Sequence, residues 1–353
     1  SKVPVAVLGA TGNVGQRFIS LLHDHPAFEL KVLASSERKV GGRLGEFWRL
    51  EDVPLDSDVA SMEFRPLDVR ELAKDGVVAA FSALPADVAT DLEAEAARAG
   101  IRVFSNASSH RMDADVPLLV PEVNADHIAL VERQTTYRDG GFLATNPNCS
   151  IAGLVLAVKP LADALDFDQV HVSTYQALSG AGYPGVPSLD ITANVVPFIE
   201  GEEEKMRREG KKLLGAWSDG IVPSPIDVWA NCARVPVREG HLEAVSILLN
   251  EEVTAEEVAK ILSSFRGEPQ REQLPTAPTN PIVVRLEKNR PQPILDLLAG
   301  EPARARGMAA TVGRIRVVDR VLRFFVLSHN TLRGGAGGSV LNAELADRRG
   351  YLG

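Results

Sequence analysis

The first part of the chain alternates short apolar runs with stretches whose apolar residues recur at helical spacing. Runs with the length of a buried strand occupy residues 5–8, 30–34, 77–81 and 101–104. Helical spacing follows the first run, at residues 16–22, and precedes the last one, at residues 86–99. Strands that alternate with helices in this way predict a parallel sheet that is covered on both faces.

The pattern changes after residue 145. Residues 149–165 predict a helix, and the segments 170–177 and 242–249 beyond it alternate apolar and polar positions with period two. Residues 313–318 and 321–327 predict a hairpin. We therefore expect a second domain built on a mixed, largely antiparallel sheet. Further helices are predicted at residues 202–214, 255–265 and 331–346, and an irregular connection at residues 267–281.

Three glycines punctuate the first predicted strand and the helix after it. Gly9, Gly12 and Gly15 lie between the two elements. Glycine lets the backbone approach a pyrophosphate, and a helix N-terminus offers unpaired N–H groups and the positive end of a dipole. This context predicts a dinucleotide-binding turn of the Rossmann type, the alternative being a tight turn that binds no ligand.

The end of the second predicted strand bears on the choice of dinucleotide. Binders of NAD usually place an acid there to hold the ribose 2′-hydroxyl. Here Ser35, Ser36 and Arg38 stand with Lys39 around a single acid, Glu37. Hydroxyls and cations suit a 2′-phosphate, so we predict NADP, the alternative being a solvated charged turn. The other residues expected to contact NADP are Thr11, Asn13, Val14, Ser82, Leu84, Pro85, Ser179, Gly180 and Asn330.

Composition removes several classes of function. The net charge of -9 argues against a general nucleic-acid binder, whose phosphate contacts need a basic surface. No apolar run approaches the roughly 20 residues of a membrane span, and no apolar signal core opens the sequence. Two cysteines are too few for a disulfide scaffold or a clustered zinc site. We expect a cytoplasmic protein without a bound metal.

Cys149 is the candidate nucleophile. It follows residues 146–148 at the start of a predicted helix, where the helix dipole stabilises a thiolate and backbone N–H groups can hold an oxyanion. Without further evidence, a single cysteine is more often a small buried core residue than a catalytic one. Cys232 lies in an apolar context and is predicted to be core packing.

Motifs along the whole chain resemble those of the aspartate-semialdehyde dehydrogenases, and one of them resembles the archaeal and fungal branch. These motifs are residues 9–15, 146–150, 180–185, 234–241 and 329–338, with residues 290–293 carrying the resemblance to the branch. The cysteine and histidine motifs are the specific ones.

The resemblance implies a role for several side chains. Cys149 matches the nucleophile, His241 the acid–base partner and Gln176 the residue that orients the acyl group. Arg234 matches the guanidinium that holds the substrate α-carboxylate, for which a planar fork suits better than a lysine.

The same resemblance implies contacts with the substrate amino group and phosphate. Glu203 looks like the carboxylate that pairs with the amino group, with a register open by one position between Glu202 and Glu204. Lys205 and Arg111 look like the phosphate clamp, with Asn148 nearby. Without the resemblance, the acidic run predicts a solvated helix face.

The implied activity is the reversible, NADP-dependent reductive dephosphorylation of L-4-aspartyl phosphate to L-aspartate-4-semialdehyde, in lysine, threonine and methionine biosynthesis. On this basis residues 1–148, with a C-terminal helix at 331–353, form the NADP-binding domain, and residues 149–330 the catalytic and dimerisation domain of a homodimer or homotetramer. The alternatives are a malonyl-CoA reductase of the same fold and a non-catalytic dinucleotide-binding sensor in which Cys149 is inert.

Overall fold

The chain divides into two units, and the computed structural model describes residues 1–353. The first unit comprises residues 1–119, 126–146 and 335–353, and the second comprises residues 120–125 and 147–334. The expected boundaries, after residues 148 and 330, lie within a few residues of these. The assignment of residues 120–125 to the second unit was not expected.

The strands alternate with helices in the first part of the chain and become longer in the second. In chain order the strands are β1 (Val3–Leu8), β2 (Phe28–Ser35), β3 (Phe64–Pro66), β4 (Ala79–Ser82), β5 (Arg102–Ser105), β6 (Phe142–Thr145), β7 (Gln169–Gln176), β8 (Ala216–Trp217), β9 (Ile221–Val222), β10 (Asp227–Arg234), β11 (His241–Leu248), β12 (Ile282–Val284), β13 (Ala310–Val318) and β14 (Val321–Ser328).

The α-helices are α1 (Asn13–Leu22), α2 (Leu44–Phe47), α3 (Ser57–Ala60), α4 (Val69–Lys74), α5 (Ala86–Arg98), α6 (Pro121–Asn124), α7 (Cys149–Ala164), α8 (Ser188–Ile191), α9 (Glu202–Leu213), α10 (Ala255–Ser264), α11 (Glu268–Arg271), α12 (Pro293–Asp296) and α13 (Gly337–Arg348). A π-helical turn, Leu332–Ala336, precedes α13. No helix combines the length and the apolar character that a membrane crossing needs.

The first unit contains a six-stranded sheet in the order β3-β2-β1-β4-β5-β6. All of its strand pairs are parallel. The chain order reverses between β1 and β4, and this switch point is where open parallel sheets bind ligands, beyond the carboxyl ends of the strands. The predicted Rossmann-type sheet is confirmed.

Both faces of this sheet are buried, which explains its continuous apolar runs. The rings of Phe18, Phe81, Phe104 and Phe142 form a connected row on one face. Alanines of α5 pack on the other face. In the same unit, the buried imidazole of His25 on the loop before β2 lies 2.9 Å from Glu344 of α13, which ties the C-terminal helix to the fold.

The second unit contains a six-stranded sheet in the order β10-β7-β11-β14-β13-β12. The inner pairs β7/β11, β11/β14 and β14/β13 are antiparallel, and the outer pairs β10/β7 and β13/β12 are parallel. The mixed, largely antiparallel sheet is therefore confirmed. The period-two alternation buries one face under α7, whose middle turns are buried all round. Exposed side chains on the other face include Tyr175, Trp229 and Leu248.

A glutamate occupies the buried face of this sheet. Glu243 is 1 % exposed, is paired in register with Thr174, and has no hydrogen-bond partner at either carboxylate oxygen. Burial, together with the charge of nearby Glu202, raises the pKa of Glu243 well above its ordinary value of 4.5. The folded protein therefore holds this carboxyl in its neutral form at pH values where an exposed glutamate is ionised.

This burial predicts a pH-dependent gain of stability in Glu243→Gln. The folded state binds the Glu243 proton more tightly than the unfolded chain, so the wild-type free energy of unfolding falls as pH rises above about 4.5, until the folded-state pKa is passed. Glutamine keeps the shape and has no such proton. Denaturation midpoints should be measured for both proteins over a pH series. The midpoint of E243Q should rise relative to that of wild type as pH increases, whereas the midpoint of the exposed control Glu204→Gln should follow the wild-type profile. Parallel profiles for E243Q and wild type would contradict this reading.

Candidate active site

The glycine turn after β1 has the geometry of a nucleotide cradle. Gly9 has φ +80°, and a Cβ there would lie 2.8 Å from the carbonyl oxygen of Ala83. A Cβ on Gly15 would lie 2.1 Å from the carbonyl oxygen of Gly9. Gly12 is the N-cap of α1 and has no side chain to satisfy the first N–H groups of that helix. The turn is therefore both closed to side chains and rich in backbone donors, which fits a pyrophosphate.

Cationic and hydroxyl side chains lie at the glycine turn and at the end of β2. Lys39 Nζ donates to Thr11 Oγ1 at 2.8 Å, so this cation, one of the two noted after the second strand, lies at the glycine turn. Ser35 is buried at the end of β2, whereas Ser36 and Arg38 are exposed just beyond it. Of the other predicted contacts, Ser82 ends β4, the strand adjacent to β1, and Leu84 and Pro85 follow that strand. This donor set suits a dinucleotide that carries an additional phosphate.

The cysteine turn in the second unit is organised by its asparagine. Cys149 is the first residue of α7, and Asn148 is the N-cap. Asn148 Oδ1 accepts from the N–H groups of Ser150 and Ile151 at 2.9 and 3.3 Å. Asparagine is among the best N-caps, so the residue before the nucleophile has a local reason to be there. The predicted helix start at Cys149 is confirmed.

Cys149 and His241 are in contact although 92 positions separate them, with 3.1 Å between Sγ and Nε2. His241 opens β11 and is fully buried, and its Nδ1 accepts the backbone N–H of Ala177 at 3.1 Å. Because that N–H can only donate, the neutral ring carries its proton on Nε2, facing the sulfur. Burial, helped by the charge of Arg234, lowers the pKa of His241 to about 3, while the Gly240 carbonyl opposes the shift.

Two of the predicted polar residues, Arg234 and Gln176, lie on the buried face of the sheet near His241. Arg234 and Gln176 are register partners at the ends of β10 and β7. Arg234 Nη1 donates to the carbonyl of Ala177 at 2.6 Å, the same residue whose N–H holds the histidine. A Cβ on Gly180 would lie 2.8 Å from Arg234 Nη1 and 3.0 Å from His241 Cε1. The glycine therefore leaves open the space that faces both groups.

The loops that carry Ser179 and Asn330 meet at the same place. Asn330 Nδ2 donates to Ser179 Oγ at 2.8 Å, and its Oδ1 accepts the N–H of Gly240 at 2.8 Å. The residues Ser179, Gly180 and Asn330, predicted as cofactor contacts, thus cluster beside His241 in the second unit.

The structure places Glu202 and Glu203, between which the predicted register was open, in different surroundings. Glu202 is buried, and its Oε1 accepts from Asn148 Nδ2 at 2.8 Å. Glu203 turns away, and its Oε1 accepts the backbone N–H of Cys232 at 3.1 Å. Successive residues of a helix point in directions that differ by about 100°, so of these two glutamates Glu202 alone faces the cysteine turn. The geometry favours Glu202 over Glu203 as the carboxylate of the site.

The expected phosphate ligands are distributed over both units. Lys205 is exposed on the first turns of α9, in the second unit. Arg111 belongs to the first unit, where it is buried and Nη2 donates to the carbonyl of Asn106 at 2.8 Å. Asn148 has its side chain bonded at both ends, to the α7 backbone and to Glu202. Asn148 therefore shapes the turn.

The second cysteine has the opposite environment. Cys232 is buried with its Sγ 3.6 Å from Met206 Sδ. Burial raises the pKa of Cys232 to about 12, so this thiol is not ionised near neutral pH. The prediction that it packs in the core is confirmed.

Comparisons with known proteins agree with this arrangement. Residues 4–131 match a family described as "Semialdehyde dehydrogenase, NAD binding domain", and residues 158–333 match "Semialdehyde dehydrogenase, dimerisation domain". The aspartate-semialdehyde dehydrogenase of Archaeoglobus fulgidus is 50% identical over 97% of both chains. A malonyl CoA reductase (NADP) of Metallosphaera sedula is 38% identical over 98% of this chain and 97% of its own.

A solved structure extends the likeness to the whole fold. The aspartate semialdehyde dehydrogenase of Candida albicans with NADP gives a TM-score of 0.88 at 36% identity, covering 99% of this chain and 100% of its own. The family predicted from the motifs is confirmed: the chain belongs to the semialdehyde dehydrogenases, in the branch of the archaeal and fungal aspartate-semialdehyde dehydrogenases.

Proposed function

We propose that this chain catalyses the NADP-dependent reductive dephosphorylation of L-4-aspartyl phosphate to L-aspartate-4-semialdehyde, and the reverse reaction, through a thioester on Cys149. One observation carries the proposal. The thiol at the start of α7 lies 3.1 Å from a buried imidazole, beside an arginine and a glutamate that complement an amino acid.

The histidine favours the reactive form of the sulfur. Its ring is neutral because burial lowers the pKa of His241, and its Nε2–H is directed at Sγ. A sulfur that accepts such a hydrogen bond at a helix N-terminus is stabilised as the thiolate, which is the nucleophilic form. Cys232 lacks these features.

The thiolate attacks the acyl carbon, the new C–S bond forms, and the C–O bond to phosphate breaks with its electron pair leaving on phosphate. NADPH, when bound, supplies the hydride that reduces the resulting thioester. As the acid–base partner, His241 shares its Nε2 proton with the thiohemiacetal oxygen through a hydrogen bond, and the proton stays with Nε2 as that oxygen becomes the carbonyl, the C–S bond breaks, and aldehyde and thiolate separate.

The substrate end of the site carries one positive and one negative group. We assign the α-carboxylate to Arg234, whose planar fork can form two parallel hydrogen bonds. We assign the amino group to Glu202, because Glu202 faces the cysteine turn and Glu203 does not. Gln176, buried in register with Arg234, is assigned to orienting the acyl group.

The leaving phosphate needs cations. Lys205 and Arg111 are the residues proposed for it, on the family resemblance. Asn148 receives less support as a phosphate ligand, since both ends of its amide already have partners.

For the cofactor, Gly9, Gly12 and Gly15 hold the pyrophosphate, and the cations and hydroxyls after β2 hold the 2′-phosphate. Lys39 joins Arg38 in this set because its ammonium lies at the glycine turn. The residues after β4 and the cluster of Ser179, Gly180 and Asn330 complete the set proposed from the sequence.

We also propose that the protein is a homodimer or homotetramer in the cytoplasm. The support is the family description of residues 158–333 as a dimerisation domain, and the exposed Tyr175, Trp229 and Leu248 on the outer face of the second sheet.

The activity assay separates this proposal from its alternatives. We expect phosphate-dependent reduction of NADP with aspartate semialdehyde, slower reduction of NAD, and little oxidation of NADPH with malonyl-CoA. Efficient malonyl-CoA turnover without the semialdehyde reaction would replace the proposed substrate, and no turnover of either, with NADP bound, would favour the sensor.

Thiol chemistry tests the nucleophile independently of the substrate. At neutral pH, iodoacetamide should modify Cys149 much faster than Cys232, because burial raises the pKa of Cys232 to about 12. Peptide mass spectrometry follows both sites. Cys149→Ser should lose activity by several orders of magnitude and still bind NADP, whereas Cys232→Ser should keep activity. Equal alkylation of the two thiols would argue that Cys149 is inert.

A matched pair of variants tests the carboxylate register. Glutamine can still accept the Asn148 and Cys232 hydrogen bonds, so Glu202→Gln and Glu203→Gln each remove mainly a charge. E202Q should raise the semialdehyde KM by about 10- to 100-fold, the range of a lost charge-assisted hydrogen bond. E203Q should change KM by less than about 5-fold, as for a surface charge. The reverse ranking would return the assignment to Glu203.

A further inference from the structure

Helix α9 directs two glutamates at one residue. Glu202 and Glu209 are seven positions apart, which places them two turns apart on the same face of the helix. Glu202 Oε1 accepts from the side chain of Asn148, and Glu209 Oε2 accepts the backbone N–H of Asn148 at 2.6 Å. Both carboxylates are buried. No role for Glu209 follows from the substrate contacts described above.

These bonds hold Asn148 at three atoms. Its main-chain N–H is bonded to Glu209, its Nδ2 to Glu202, and its Oδ1 to the first N–H groups of α7. The next residue in the chain is Cys149. Since a fixed N-cap defines where the first helical residue begins, the Asn148 contacts determine the direction in which Sγ leaves the backbone.

A glycine lets α9 come close enough for this contact. Gly210 follows Glu209, and a Cβ there would lie 3.2 Å from Val228 Cγ2 and 3.4 Å from Ile151 Cδ1. Glycine is a poor helix former, so its place inside α9 needs another reason. Ile151 belongs to the first turn of α7. The missing side chain therefore avoids a tight contact with Val228 of β10 at the position where α9 also meets the first turn of α7.

We propose that Glu209 is a positioning residue for Cys149: by accepting the Asn148 N–H, it holds the cysteine turn so that Sγ faces His241 Nε2. The requirement is an acceptor oxygen that extends far enough from α9 to meet the Asn148 N–H. A neutral side chain of the same length as glutamate meets this requirement. The effect on turnover rests on the function proposed above, whereas the effect on thiol reactivity does not.

Two conservative variants separate reach from charge. Glu209→Gln keeps an acceptor oxygen at the same distance from the Asn148 N–H and removes the negative charge. Glu209→Asp keeps the negative charge on a side chain that is one methylene shorter. The matched controls are Glu204→Gln and Glu204→Asp on the exposed face of the same helix, where Glu204 is 4.0 Å from Arg208. Each is made in a Cys232→Ser background, so that alkylation reports only Cys149.

We expect E209D to alkylate slowly at neutral pH, to reach its half-maximal rate at higher pH, and to lose about 10- to 100-fold in kcat with a nearly unchanged KM, as for a displaced reacting group. E209Q should stay close to both Glu204 controls. Should E209D not fold, Gly210→Ala tests the same contact: its Cβ crowds Val228 Cγ2 at 3.2 Å, which displaces α9 next to Glu209 and should slow alkylation as well.

The ranking of the variants decides the outcome. If E209D alkylates as fast as E209Q, or faster, the acceptor-reach proposal is overturned. A Gly210→Ala variant with wild-type alkylation would overturn it too. Alkylation requires no substrate, so the ranking of alkylation rates can be interpreted even if the semialdehyde assay shows no activity. Such an inactive assay would count against the proposed function alone.

Discussion

The contact between the sulfur of Cys149 and the buried imidazole of His241 constrains how the helix and the sheet of the second unit pack together. The two groups sit on different elements, the first residue of α7 and the first residue of β11, so the helix must lie close to the sheet. Gly153 allows this, because a Cβ there would lie 2.2 Å from Ser328 Oγ. Ser328 is the register partner of His241. The glycine in the helix therefore sets the separation at which sulfur and ring nitrogen meet.

The charges around this contact form a consistent set. Burial keeps His241 neutral, and burial together with the Glu202 charge keeps Glu243 in its acid form. Burying an unpaired ion costs free energy, so a buried site with many polar groups can keep only a few of them charged. Arg234 and Glu202 are the charges proposed for the substrate, whereas the carboxylate of Glu209 accepts the backbone N–H of Asn148. One cation and one anion are what a bound amino acid, with one carboxylate and one ammonium group, would complement.

The sequence predicted well whatever depends on local pattern. The glycine turn, the helix start at Cys149 and the strand that begins near His241 all follow from composition and spacing at the position itself. The choice among adjacent glutamates did not follow, because it depends on where α9 begins after Gly201, whose φ is +66°, and one residue changes the face. Glu209 was missed for another reason: its partner lies 61 positions away, and only the folded chain brings them together.

The glycine-rich segment near the C-terminus shows how a motif can have a structural purpose that its resemblance does not reveal. A Cβ on Gly334 would lie 2.9 Å from both Cα and Cβ of Cys149, so the segment packs directly against the nucleophile. The preceding residue, Arg333, forms a buried pair with Glu122, with Nη2 2.6 Å from Oε1. Breaking one half of such a pair is strongly destabilising. This ion pair is one of the contacts that join residues 120–125 to the second unit, next to the glycine that packs against Cys149.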